Sequence, residues 1–450
     1  MGIALYDEDP EIYNLIAGRI FQEMITARNY AYGAQLFTEG TDYGPFRYPY
    51  EVLSTIMFDK LGLKGVYTRD QLHVLYGTMY DRLPDGRFLN TGDCSSSSSI
   101  GFYNNASDSY FLAGNYYKDP YIRKLFFKSK SSAQNVAVGR YGVTAPMHLL
   151  INDPSVGVAD ADGLPLTAYF DEPLGTMIAK TSWEEGKSSN AMMVKMNAGA
   201  RTFLNHQHLD SGHFDIYYKG KLALDSGMYK SAPFSIDGVP VTALSYGSNH
   251  DKNYHKRTIA HNCMLVYDPN EIINYNNSTV NDGGQKGGGG DIPYTYEELM
   301  QPEYQQGKAT NYNFGPDIHE PAYSYLKGDL ASAYTEKVED YDRTFLFLNF
   351  FDEDYPGALI VFDNIKSSDS SFKKTWLLHA QEEPQIEGNT TTVKRTEWGY
   401  NGRMINTTLL PSNAVLSKVG GAGHEFDVNG VNQLAVRLHN GRIPESGDWK

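Results

Sequence analysis

The densest run of reactive side chains is Asn205-His206-Gln207-His208, followed by Asp225-Ser226-Gly227 and then His255-Lys256-Arg257-Thr258-Ile259-Ala260-His261-Asn262. His213 lies in the same stretch, so His206, His208, His213, His255 and His261 crowd one part of a chain that has 12 histidines in 450 residues. If the HxH pair sits on a strand, residues i and i+2 share a face and the two imidazoles point into one space. Neighbouring strands would then bring Asp225 and His261 alongside. Two histidines and a carboxylate suit zinc, with a fourth position left for water or another ligand, and such an ion either braces a loop or activates water. An HxH pair by itself reads more readily as two surface or hydrogen-bonded histidines; it is the distant Asp225 and His261 that turn the reading toward a metal. No HExxH helix, GxSxG elbow or GxxxxGK[ST] loop is present, which argues against a zincin, a serine hydrolase and a P-loop enzyme. Among 54 acidic residues no carboxylate pair stands out as a glycosidase couple.

Two kinds of periodicity must position these groups. Ile12, Leu15, Ile16, Ile20, Phe21, Met24 and Ile25 follow the spacing of one helix face, which predicts a helix from Ile12 to Ile25. Val52 to Leu61 predicts a second, closed by Gly62, and Leu72 to Met79 a third, ended by Pro84-Asp85-Gly86. Further helix is expected over 107–130, with residues 41–49 an aromatic-rich loop. After about residue 185 the period becomes two: Phe214-Asp215-Ile216-Tyr217-Tyr218, a Lys219-Gly220 turn and Leu222-Ala223-Leu224 read as a β-hairpin. Arg343 to Leu348, Leu359 to Phe362 and Thr375 to Leu378 continue it. The fold class is therefore α+β multidomain, with helical hairpins over 1–180 and a large antiparallel β-sandwich over 181–450. Residues 95–99 and the Gly-rich 281–290 read as loops.

Composition is that of an ordinary globular protein, 41% hydrophobic and 21% charged, so wholesale disorder and coiled coil are excluded. No apolar run approaches the ~18 residues of a membrane span. A formal charge of −15 argues against a nucleic-acid binder held by phosphate neutralisation. Two cysteines without a CxxC give no disulfide scaffold. The 34 tyrosines against 21 phenylalanines supply flat apolar faces with polar handles, which suit sugar surfaces and half-exposed sheets equally.

Several motifs in one order resemble the heparinase II/III family of polysaccharide lyases: Asn205-His206-Gln207-His208, Tyr217-Tyr218-Lys219-Gly220, Asp225-Ser226-Gly227 and Lys256 through His261-Asn262. The likeness extends through Asn281-Asp282-Gly283-Gly284-Gln285, Phe314-Gly315-Pro316-Asp317, Tyr325-Leu326-Lys327-Gly328-Asp329 and Phe372-Lys373-Lys374 to the terminal Gly447-Asp448-Trp449. The resemblance implies an α/α toroid followed by the sandwich, and β-elimination at uronic acid in heparan sulfate or heparin. It places Asn205 on the uronate carboxyl, His206 as a base and Tyr43 as the catalytic tyrosine. Arg47 becomes a nearby basic group, with Lys256 and Arg257 as further substrate-binding cations. His208, Asp225 and His261 match the ligands of one structural zinc. Other readings are a lyase for another uronate polymer such as alginate, a zinc hydrolase, and a non-catalytic glycan-binding protein. The family also uses a histidine and a glutamate from an upstream helix, so the chain is expected to be truncated at both ends, with an incomplete toroid. A homodimer is left open. Because such a polymer is too large to cross an inner membrane, a periplasmic or secreted location is expected. The acidic charge repels a sulfated polymer, so local cations are needed; Arg123, Lys124, Lys128, Lys130 and Arg201 are candidates beside Arg47, Lys256 and Arg257.

Overall fold

A computed structural model describes residues 6–93, 107–132, 143–227, 229, 234–236, 239–241, 246–275, 277–287, 292–421, 423–424, 426–433 and 449–450. The expected loop at 95–99, Lys130 as a side chain, and Gly447-Asp448 lie outside them.

The chain is helical first and then built of antiparallel sheets. Asp9 caps α1 (Pro10–Gly18), its carboxylate accepting from Ile12 N at 3.1 Å, with proline in the first turn. A π-helical stretch, Arg19–Met24, leads into α2 (Ile25–Gly33), so the expected helix continues for a further two turns. Its apolar stripe, however, is exposed among the described residues: Leu15 is 65% and Met24 51% accessible. Burial begins at Ala31 and Tyr32.

α3 (Gly40–Lys60) starts twelve residues before Val52 and absorbs the segment expected to be a loop. Its interior Pro49 removes one backbone donor, and Gly44 has no β-carbon for a reason. A Cβ there would stand 2.1 Å from Phe37 Cγ. α4 (Asp70–Tyr80), α5 (Ser107–Tyr116), α6 (Pro120–Ser132) and α7 (Ala145–Ile151) complete the helical part. Tyr48, Val52, Leu72, Leu75, Phe111, Leu112 and Ile122 form its core.

Strands begin earlier than the sequence period suggests. β1 (Thr167–Phe170), β2 (Thr176–Lys180), β3 (Met192–Asn197), β4 (Phe214–Tyr218) and β5 (Lys221–Ala223) form one antiparallel sheet in that order. β4 and β5 are the expected hairpin, with Ile216 opposite Ala223. β6 (Phe234–Ile236) and β7 (Val239–Val241) form a separate hairpin, while β8 (Met264–Tyr267) pairs with a strand at Lys373–Trp376. A second sheet holds β9 (Lys308–Gly315), β10 (Tyr323–Asp329), β11 (Val338–Asn349) and β12 (Gly357–Ser367), neighbours in sequence order. Met177, Val194, Met196 and Phe214 of the first sheet share one buried core with Leu326, Phe345 and Phe347 of the second. Leu36, Tyr80, Leu83 and Leu89 from the helical part pack with Phe170, Ile178, Met193 and Tyr217. This joint fixes the helical part against the first sheet, and the candidate site lies beside it. No helix among the described residues is long and apolar enough to cross a membrane.

Candidate active site and metal centre

The HxH segment is not a strand. Residues 202–208 alternate between buried and accessible with period two, but as irregular backbone. Leu204 and Asn205 both take left-handed conformations, φ 57° and 58°, which asparagine tolerates better than leucine. That double turn sends the neighbouring side chains to different partners: His206 and His208 face inward, whereas Asn205 faces the start of α3.

Three segments meet here because two glycines let them. Gly40 has φ +79° and a Cβ on it would stand 1.8 Å from Thr91 O; Gly92 has φ +64° and a Cβ would stand 2.7 Å from His206 O. Asp93 N then donates to His206 O at 2.9 Å, zipping the 91–93 segment to the histidine loop.

Asp93 is the hub. Its carboxylate takes His206 Nδ1 at 2.6 Å, His208 Nε2 at 3.3 Å and Lys256 Nζ at 2.9 Å, with His255 Nε2 at 3.8 Å. Burial opposes its ionisation, but the hydrogen bonds from His206 and His208 and the charge of Lys256 outweigh this and hold its pKa below the usual carboxylate range. Nothing in the sequence marks Asp93, which sits 113 residues from His206.

Tyr43 stacks on His206, with ring centroids 3.6 Å apart and planes at 9°. Its hydroxyl lies 2.7 Å from that of Tyr229. Burial, then the hydrogen bond with Tyr43, pushes the Tyr229 pKa well up, so Tyr229 stays protonated; either hydroxyl can donate to the other. The Arg47 guanidinium sits 4.8 Å from the Tyr43 ring centroid. Its Nη1 donates to both carboxylate oxygens of Glu39, at 2.8 and 2.7 Å. Asn205 Nδ2 donates to Glu39 Oε1 at 3.0 Å. Tyr43, Asn205, His206 and Arg47 are thus brought together.

Lys256 reaches the same cluster through Asp93 and the Asn205 carbonyl, whereas Arg257 pairs elsewhere. Both are fully buried. Lys256 bridges Asp93 and Asp251 and donates to Asn205 O at 3.1 Å. Arg257 donates to Asp282 Oδ1 at 2.6 Å and Val280 O at 3.0 Å. Desolvated cations need such partners, so these two support the loop and do not meet a polymer directly. Elsewhere Lys124 pairs with Asp160, Lys128 with Glu185, and Arg201 donates to Leu299 O; Arg123 is buried. Among the described residues, Lys124 and Lys128 are thus engaged with acidic partners of their own.

His208, Asp225 and His261 offer ligand atoms lying within 4.8 Å of one another. His208 Nδ1 is 3.5 Å from Asp225 Oδ2, and His261 Nδ1 is 3.2 Å from Asp225 Oδ1. Yet His208 Nδ1, Asp225 Oδ1 and both His261 nitrogens are buried with no hydrogen-bond partner. Orphaned donors and acceptors converging on one point fit a cation better than a hydrogen-bond network. The charge balance agrees: burial alone would depress His208, but Asp225 and Asp93 override it and push its pKa up to about 9. Protons or a divalent ion can meet that demand. With Nδ1 aimed at Asp225, His208 gives Nε2–H to Asp93, the outer-shell carboxylate common around zinc-bound imidazoles. Asp93, His208 and His255 form a second group that shares His208. His255 Nδ1 approaches Gly227 closely enough that a Cβ there would stand 2.8 Å away.

No protein-family model and no curated protein matches the chain. Among solved structures it aligns with a mutant of the heparan sulfate lyase HepC from Pedobacter heparinus, at TM-score 0.47 and 13% identity over 83% of this chain and 45% of that one. It also aligns with a heparinase III, at TM-score 0.48 and 12% identity over 90% of this chain and 51% of that one. The chain therefore spans about half the length of the solved lyases it matches.

Proposed function

We propose that the chain is the catalytic part of a polysaccharide lyase that cleaves heparan sulfate or heparin at uronic acid by β-elimination. The observation that carries this reading is the meeting of Tyr43, Asn205 and His206, from two distant segments, with Arg47 beside them. A proton at C5 beside a carboxylate is too weakly acidic to leave at neutral pH unless that carboxylate is neutralised. Asn205 and Arg47 are the groups placed to do so.

In the proposed sequence, the C5–H bond breaks toward a base, the C4–O bond breaks, a C4=C5 double bond forms, and the departing oxygen takes a proton. Tyr43 and His206 are the proton carriers, stacked face to face. The Tyr229 hydroxyl, 2.7 Å from that of Tyr43, would stabilise a Tyr43 phenolate by donating to it, while Asp93 holds His206 through Nδ1. Residues His208, Asp225 and His261 would hold one zinc ion, which supplies a fixed positive charge that anchors the histidine loop. The helical part belongs, in this reading, to an α/α toroid and the sheets to a sandwich.

Another uronate polymer, such as the unsulfated alginate, is the second reading. It is favoured by the charge of −15 and by the burial of Lys256 and Arg257 in ion pairs.

Product masses separate elimination from hydrolysis. Lyase fragments sum to the substrate mass and carry an unsaturated end, whereas hydrolytic fragments gain one water per cut. Hydrated fragments would replace this proposal with a zinc hydrolase; intact polymer bound but never cut would leave a glycan-binding protein.

A further inference from the structure

Glu39 occupies the place where a substrate carboxylate should go. It precedes α3 at the N-cap position, with backbone φ −90° and ψ 8°, but its side chain makes no capping bond. Instead both oxygens accept from Arg47 Nη1 and one also accepts from Asn205 Nδ2. These are the donors that the lyase reading assigns to the uronate. The two side chains remain open to solvent, Glu39 at 26% and Arg47 at 42%, so neither is locked in a dry core.

We propose that Glu39 is a resident carboxylate that fills the carboxylate seat of the empty site and must swing away when a uronate binds. The identity of the seat rests on the lyase reading; the competition between two carboxylates does not depend on turnover. One negative group held by Arg47 and Asn205 satisfies them in the resting protein, where two like charges on the same donors repel. The seat therefore keeps its shape without substrate, at a cost in affinity equal to the displacement of Glu39. The same device rejects ligands lacking a carboxylate, because only another anion restores the lost pairing.

Free glucuronate, titrated by ligand-observed NMR into the wild type, Glu39→Gln and Glu39→Ala, tests this directly. Glu39→Gln keeps the shape and an acceptor oxygen but not the charge. The expected result is tighter glucuronate binding in both variants, about tenfold for Glu39→Ala, or ~1.4 kcal/mol, with Glu39→Gln between it and the wild type. KM for a uronate polymer should fall in the same order, and adding Arg47→Ala should abolish the gain. A purely structural Glu39 gives the opposite pattern: Glu39→Gln like the wild type, Glu39→Ala weaker and less stable. Unchanged or weaker glucuronate binding in both variants overturns the proposal. Because the titration needs no cleavage, a polymer that is never cut would count against the lyase reading while the glucuronate series still decides the role of Glu39.

Discussion

One carboxylate at Asp93 serves two imidazoles and a buried ammonium. Asp93→Asn keeps its shape and removes its charge, which leaves Lys256 desolvated with Asp251, 3.5 Å away, as its one acidic partner among the described residues. Breaking a buried pair in this way costs about 3 kcal/mol or more, so urea unfolding should show a loss of that order. A change under about 1 kcal/mol would mean that Asp93 is not the ionised hub described here. At the metal centre, elemental analysis of purified protein should find about one zinc per chain, lost in His261→Ala, and chelation should lower the melting temperature. Zinc retained by His261→Ala would move the site to Asp93, His208 and His255. Residue spacing made part of this legible. His208 and His261 stand out because imidazoles are scarce, whereas Asp225 is picked out only by the resemblance of its Asp225-Ser226-Gly227 motif. Asp93, Glu39 and Tyr229 do not, since each is one of 54 acids or 34 tyrosines and reaches the site only through tertiary contact.

The positions of the elements rest on close backbone approaches. Gly92→Ala forces a left-handed alanine and sets a methyl 2.7 Å from His206 O, so it should cost ~2 kcal/mol or more and disturb the histidine loop. Gly62→Ala, at φ +84° with nothing within 4 Å, should cost only ~1 kcal/mol. Equal losses in urea unfolding would refute the close-approach argument. On β2, burial lowers the Lys180 pKa to about 7, with Asp81 opposing the shift and Arg82 adding to it. Unfolded, the lysine holds its proton up to about 10.5, so between pH 7 and 10.5 the unfolded state binds more protons and stability rises with pH. Lys180→Met should flatten that slope, and an unchanged slope would assign it to other groups. Helix ends such as Gly62 and the Lys219-Gly220 hairpin turn were readable because glycine at positive φ is a local requirement. The start of α3 was not, since Gly44, Pro45 and Pro49 read as loop residues and the helix persists there through packing against Phe37. The HxH pair alternates in burial as a strand would, which is why period alone assigns it wrongly.

Across the whole molecule, a charge of −15 would meet the proposed polyanionic substrate with Arg47 as the partly exposed cation beside Tyr43, while Lys256 is buried in ion pairs. Repulsion acting beyond ~10 Å is screened at about 0.1 M salt. The cleavage rate at limiting substrate should therefore rise between low and physiological ionic strength; a steep fall would point to a cationic track elsewhere on the chain. The division into helices followed by antiparallel sheets was legible from the change of period, whereas the joint between them, Leu36 and Tyr80 against Phe170 and Tyr217, has no sequence signature. The central claim is elimination by Tyr43, and ultraviolet absorbance tests it most directly, because only elimination creates a conjugated unsaturated uronate. Incubation with heparan sulfate, heparin and alginate in turn should give rising absorbance with at least one polymer, and Tyr43→Phe should slow it by ~10²-fold or more while the polymer still binds. A rise that persists at the wild-type rate in Tyr43→Phe would contradict the assignment, and flat absorbance with every polymer would contradict the lyase itself.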